Sequence, residues 1–249
     1  KGVAIGCAGR DTIAWTHRPA FICRPGVTIC RLRDNPFQNT LREIAARTPL
    51  RWGVNVLMNV QGETSLVRAG DPATAQESLA GEMTGTSLRA TGERYDAVVA
   101  GVPSPKSDNF YQASRAATCL GLAARPAVAE GGLIVLCADL PDGAGAGPGE
   151  RNFLDALSAA ASPAQLLERA LREPLGPGGQ RSFVLARVLE RFRLAIVGAS
   201  DPAFLEPLDR LGVTAFDSVD AALAAEDERL GRRAGVLAVA DGLGTTVHA

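Results

Sequence analysis

From Tyr95 onward the chain repeats one pattern: a short apolar run, then a longer stretch with helical spacing. The runs fall at 96–101, 132–138, 194–198, 213–216 and 236–240. The run 132–138 reads GLIVLCA and has no polar face. A strand reads that way when both faces of its sheet are covered. Between the runs, spacing and capping residues predict helices over 110–124, 152–160, 163–172, 180–192, 202–211 and 219–230. Strands alternating with helices predict an α/β fold with a doubly wound, largely parallel sheet and helices on both faces. Ligands of such sheets sit beyond the carboxyl ends of the strands. The loops there are 102–109, 139–149 and 199–201.

The first part of the chain reads differently. Residues 1–35 mix Gly and Pro with short apolar runs, and 16–19 read as an irregular polar segment. Asn35-Pro36 marks a helix start, with the helix over 37–47. The alternating run 52–60 reads as a strand and 64–69 as its hairpin partner. Asp71 is an N-cap candidate, with Pro72 at the first helical position. Residues 81–94, rich in Gly, Thr, Ser and charge, are the linker candidate. The expected division is a truncated α/β domain over 1–88 and a doubly wound domain over 89–249. The last strand, near 235–247, is expected to pack back on the first domain. The chain opens on Lys1 rather than Met, so it is expected to be a C-terminal portion of a longer protein. The glycine-rich 143–149 (GAGAGPG) is expected to be a mobile loop.

Composition removes several function classes. Lys+Arg is 26 and Asp+Glu is 27, so the basic excess of a nucleic-acid binder is missing. Every apolar run is far shorter than the roughly 18 residues that read as a membrane span. Five cysteines without a CxxC pair argue against a disulfide framework or a structural zinc site, and for reduced thiols in the cytoplasm. No GxGxxG follows a strand, and no GxxxxGK[ST] loop occurs.

Few residues remain for chemistry. The histidines are His17 and His248. His17 reads as a hydrogen-bonded loop side chain, a metal ligand or an acid/base. His248, next to last, is expected to be disordered. The lysines are Lys1 and Lys106, in a chain otherwise reliant on arginine. Each is either structural or a titratable amine for covalent chemistry. The segment 105–115 runs from a strand's carboxyl end into a helix. Tyr111, Gln112 and Arg115 fall at its start, and positions three or four apart share a face. This is either ordinary capping beside a surface arginine or a receptor for a carboxylate.

Taken in order, these pieces resemble the C-terminal portion of the nickel-dependent lactate racemase family, over nearly the whole chain. The resemblance rests on Lys1 before a Gly-rich segment, then His17, then Asn35-Pro36. It continues through Asn55-Val56-Leu57-Met58-Asn59, Ala69-Gly70-Asp71-Pro72 and Tyr95-Asp96-Ala97-Val98-Val99. It ends with a Pro-Lys loop, Asn109-Phe110-Tyr111-Gln112, Gly131-Gly132-Leu133-Ile134-Val135-Leu136 and Asp142-Gly143. The family uses a nickel–pincer nucleotide, a pyridinium mononucleotide (pyridinium-3-thioamide-5-thiocarboxylate) holding nickel by a ring carbon and two sulfurs. The resemblance implies that Lys1 carries it covalently and that His17 is the protein ligand to nickel. Carbon, sulfur and imidazole donors in a planar array suit Ni(II). It further implies racemisation or epimerisation of a 2-hydroxy acid by hydride transfer, with Tyr111, Gln112 and Arg115 positioning the substrate. Acid/base histidines would stand upstream of Lys1. Cofactor-biosynthesis proteins would be partners for loading.

The sequence departs from the family in three places. Arg115 stands where lysine is common. Val102-Pro103-Ser104 replaces glycines and an aromatic. Gly179-Gln180-Arg181 lacks a His-Lys pair. These departures bear on the substrate more than on the cofactor. Two other readings compete: a family member without activity that binds a small ligand, and an ordinary NAD-type oxidoreductase. The absent phosphate fingerprint counts against the latter.

Overall fold

The computed structural model describes residues 9–249 apart from 30 and 60. The chain divides into two compact units, Lys1–Arg89 and Ala90–Ala249. Lys1 lies outside the described residues.

The first unit contains α1 (Arg10–His17), α2 (Pro19–Ile22), α3 (Pro36–Ala46), β1 (Gly53–Met58), β2 (Thr64–Gly70) and α4 (Pro72–Ser87), with β3 (Leu88–Ala90) at its end. The segment 16–19, expected to be irregular, instead closes one helix and opens another. Phe21 is fully buried and nucleates this turn, with Trp15 at 4.8 Å and Phe37 at 5.9 Å between ring centroids. Asn35 caps α3: its Oδ1 accepts from the Phe37 N–H and its amide donates to Arg31 O. Asp71 caps α4 by accepting from the Thr74 N–H, and Pro72 occupies the first turn. Residues 81–87, expected to be linker, continue α4 as helix. Helix-interior glycines such as Gly81 cost about 1 kcal/mol each. Arg68 of β2 offsets that by donating to Ser78 and Glu82. β1 and β2 pair antiparallel with Val56 opposite Val67. Val54, Val56, Met58 and Val67 stand exposed on the outer face of this hairpin.

The second unit holds a five-stranded sheet among its described residues. Its strands are β4 (Tyr95–Gly101), β5 (Val128–Cys137), β6 (Arg193–Val197), β7 (Val213–Phe216) and β8 (Val236–Val239), in the order β7-β6-β5-β4-β8. Each neighbouring pair is parallel. The chain steps outward from β4 to β7 and then returns to the other side of β4. Right-handed crossovers therefore put the last helix on the opposite face from the earlier ones. One face, through Val98, Ile134, Leu136 and Ile196, packs on α5 (Phe110–Gly121), α6 (Pro148–Ser158), α7 (Pro163–Arg172) and α8 (Gln180–Leu189). The other, through Ala97, Val135 and Ala195, packs on α9 (Val219–Leu230) at Ala222. This is the doubly wound α/β architecture expected from the sequence.

The helix expected over Pro202–Leu211 is of the 3-10 type. Pro207 lies inside it, and a proline supplies no N–H and crowds the preceding carbonyl, which favours the tighter winding. The run expected as the fifth strand of the sheet is β8, which pairs with β4 from Ala97↔Val236 to Ala100↔Val239. His248, expected to be disordered, lies in β9 (Thr246–His248). Its carbonyl accepts from the Thr91 N–H at 2.8 Å, and its ring meets Arg125 at 3.1 Å.

Two carboxylates, Glu226 and Asp96, fasten the sheet through ion pairs. Glu226 of α9 is buried between Arg193 of β6 and Arg229. Burial pushes its carboxyl up, but hydrogen bonds from the two guanidinium groups outweigh that and hold it below its ordinary value. Both arginines keep partial access to water, so Glu226→Ala should cost about 2 kcal/mol, less than a fully buried pair would. A urea unfolding curve checks this. Asp96 of β4 accepts two bonds from Arg232 (2.7 and 2.8 Å) and one from the Gly235 N–H (2.8 Å), pinning the start of β8. These bonds lower its carboxyl from 3.8 to about 2. Its stabilisation is complete above pH 3.8 and is lost as pH falls through about 2. Asp96→Asn should remove this component, giving a flatter acid limb in stability measured against pH.

Candidate functional site

The carboxyl edge of the sheet gathers the loops that follow its strands. The loop after β4 is laced to the loop after β5 by three backbone bonds. Leu140 N–H donates to Ser107 O, Asp142 N–H to Asp108 O, and Phe110 N–H to Gly143 O, at 2.8–2.9 Å. Leu140 is fully buried at φ +46, a left-handed conformation that leucine rarely adopts. Such strain persists where surrounding bonds overdetermine the backbone, often near sites. The loop after β6 joins through Ser200 N–H to Asp139 O. The loop after β8 joins through Gly242 N–H to Gly101 O. A Cβ on Gly101 would overlap Ala240 O, so that approach requires glycine. The segment 143–149, expected to be mobile, is packed: Glu150 folds against Gly145 and accepts from the Gly147 N–H.

This frame holds the first turn of α5. Asn109 caps it, accepting from the Gln112 N–H at 2.9 Å. Tyr111 and Gln112 are half-buried and Arg115, one turn along, is exposed. The three share one end of one helix, as the sequence spacing requires. Tyr111 meets Phe153 of α6 edge-on at 5.4 Å. The guanidinium carbon of Arg181, from the first turn of α8, lies 4.2 Å from its ring centroid. Sequence reasoning noted 179–181 only as a departure and gave Arg181 no role. The available signal was local: the Gly- and Pro-rich 174–179 marks a helix start, which puts Arg181 in a first turn. What it stacks on was not readable.

Arg181 is held in place by a close backbone approach. A Cβ on Gly178, at φ +87, would overlap Gly149 at the start of α6. Asn152 of α6 also donates to Pro177 O at 2.9 Å. Among neighbouring groups, burial raises the thiol of Cys137 at the end of β5, which makes it a poor nucleophile.

His17 belongs to the first unit and ends α1. Its Nδ1 is 2.9 Å from Ile13 O and 3.0 Å from Thr16 Oγ1, and its ring stands edge-on to Phe37 at 6.0 Å. A carbonyl only accepts, so Nδ1 carries the proton. Thr16, fully buried, donates its own hydroxyl hydrogen to a backbone carbonyl and accepts from the imidazole. In the neutral ring this leaves the Nε2 lone pair available, the arrangement that metal-binding histidines use. The donor chemistry therefore fits a nickel ligand. Among the described residues, no group of three or more His, Cys, Asp or Glu side chains could hold a metal by itself. A single imidazole is what a metal bound mainly by its own cofactor needs.

A family model described as the lactate racemase C-terminal domain matches residues 95–247. The chain belongs to the lactate racemase family. No curated protein sequence matches it. Among solved structures, it is similar to the lactate racemase apoprotein from Thermoanaerobacterium thermosaccharolyticum. That match has a TM-score of 0.84 and 19% identity, over 96% of this chain and 55% of the other. A structural-genomics protein from Thermotoga maritima gives a TM-score of 0.53 and 12% identity, over 83% and 52%. These structural likenesses speak to the fold. The chain spans about half the length of the lactate racemase it resembles. Among the described residues, no helix is long and apolar enough to cross a membrane.

The Gly178–Gly149 approach generates a test of how this lactate racemase family member builds its second unit. Gly178→Ala should cost about 2 kcal/mol or more, combining a left-handed backbone with steric overlap. It should also displace the first turn of α8, read as loss of Arg181–Tyr111 stacking in the near-ultraviolet circular dichroism.

Proposed function

We propose that this chain serves the racemisation or epimerisation of a 2-hydroxy acid, lactate or a relative, with a nickel–pincer nucleotide as cofactor. The observation that carries the reading is His17. Its Nδ1–H is committed to Ile13 O, which leaves Nε2 for a metal, in a chain of the lactate racemase family. Lys1 is the proposed point of covalent attachment and His17 the proposed protein ligand to nickel. When bound, the nucleotide supplies a reversible acceptor for the hydride of the α-carbon.

The chain's own residues position the substrate. Tyr111, Gln112 and Arg115 sit at the amino terminus of α5, where the helix dipole and a guanidinium both favour a carboxylate. Arginine at 115 keeps the positive charge and replaces a point charge with a planar fork, which binds two carboxylate oxygens at once. Tyr111 is fixed from both sides, by Phe153 at its edge and Arg181 at its face. That rigidity orients the substrate before reaction. We place the protein in the cytoplasm, where the free thiols of Cys23 and Cys137 stay reduced. Proteins that build the cofactor are its proposed partners for loading.

Intact mass and nickel content test the reading, on protein expressed with the cofactor's biosynthetic enzymes. A covalent adduct with about one nickel per chain is expected, from a cofactor that brings its own metal. Lys1→Ala should abolish the adduct. His17→Ala should keep the adduct and lose nickel on dialysis, with affinity down by at least tenfold, as for loss of a ligand-shell interaction. An unmodified, metal-free protein, under conditions that load an active family member, would favour a ligand-binding protein without racemase chemistry.

A further inference from the structure

Arg181 carries the one buried side-chain polar atom among the described residues that the fold leaves without a hydrogen-bond partner, its Nε. Native proteins satisfy nearly all such donors, and an exception asks for an explanation. No carboxylate of the described residues forms an ion pair with it. Its contact is the face of Tyr111, with the guanidinium carbon 4.2 Å from the ring centroid. A ring face attracts the guanidinium plane but accepts nothing from the N–H groups at its rim. The Nε–H is shielded, so the two terminal Nη groups, which are not buried and make no hydrogen bond among the described residues, are the edge left for another molecule.

The surroundings say which kind. Tyr111 stands in the first turn of α5 and Arg181 in the first turn of α8, so two positive helix ends meet at this stack. Arg115 lies one turn along α5 from Tyr111. The guanidinium rim is a planar fork that matches two coplanar oxygens, as in a carboxylate. The Gly178–Gly149 approach and the Asn152 bond to Pro177 O fix the backbone just before Arg181. Its position is therefore set before any ligand arrives.

The geometry points to Arg181, held on Tyr111, as a carboxylate receptor of this site. That the carboxylate belongs to a 2-hydroxy acid rests on the function proposed above. Two sources share this chemistry: the carboxylate next to the reacting carbon, or a second carboxylate at the far end of a dicarboxylic substrate.

The test is a titration of the nickel-free 249-residue chain with sodium lactate, sodium 2-hydroxysuccinate and sodium chloride at matched ionic strength. Arginine Nε–H resonances give both the site and the dissociation constant, with Arg181 assigned by the signal missing from Arg181→Lys. The organic acids should shift that resonance and chloride should not. Arg181→Gln should weaken binding by about tenfold or more, the loss of a charge-assisted hydrogen bond. Arg181→Lys should recover part of it, because an ammonium lacks the fork. Equal affinity for both acids would assign Arg181 to the reacting carboxylate. Binding of 2-hydroxysuccinate alone would assign it to a distal one. The proposal is overturned if neither acid binds, if chloride gives the same shift, or if Arg181→Gln binds like the wild type at an unchanged unfolding temperature. Should Arg181→Gln fail to fold, Arg181→Lys carries the comparison. Nickel loading separates the two readings. Carboxylate binding through Arg181 without nickel loading would sink the racemase reading alone, and loading without such binding would sink this one alone.

Discussion

The parallel pairing of β4 with β5 is the interaction on which the second unit depends. From Ala97↔Leu133 to Gly101↔Cys137 the two strands run in register with their side chains buried on both faces. Parallel strands need crossovers, and crossovers place helices on both sides. Every loop that follows a strand then leaves from the same edge. The lacing of 107–110 to 140–143 is possible only because β4 and β5 end side by side. The cap of α5, and with it Tyr111, Gln112 and Arg115, inherits its position from that pairing.

The site's electrostatics follow from the same constraint. A parallel sheet points the amino ends of its following helices toward the edge where ligands sit. Here α5 and α8 both begin at the Tyr111–Arg181 stack. The guanidinium groups at this edge differ from those elsewhere in the unit. Arg193, Arg229 and Arg232 are committed to Glu226 and Asp96, and their role ends in holding strands and α9 together. Arg181 has no such commitment. Arginines of one residue type thus divide into fasteners and a receptor by whether the fold supplies their carboxylate.

In the first unit the informative side chain is His17. Helix α1 brings Ile13 O within reach of its Nδ1, one turn earlier on the same face, and Thr16 completes the support. The imidazole is oriented by local helical geometry, with Phe37 against its edge. A histidine in an irregular loop would have lacked this support. The helix is therefore what makes His17 suitable as a ligand.

Legibility tracked the range of the interaction. The strand at 213–216, the helix at 219–230 and the helix starts at Asn35 and Asp71 were readable because periodicity and capping act within a few residues. The doubly wound sheet was readable because only such a fold buries apolar runs on both faces. The grouping of Tyr111, Gln112 and Arg115 followed from helical spacing alone. The helix through His17 was missed because its buried contact, Trp15 against Phe21, lies across the break into the next helix. The continuation of α4 past Gly81 depended on Arg68. Arg181 on Tyr111 joins residues far apart in sequence, through a Gly–Gly approach that no local rule signals. Local chemistry in the sequence determined the elements and the residue types at their ends. The tertiary structure decided which ends meet and which charges are left without partners, because those depend on contacts between segments the chain brings together only on folding.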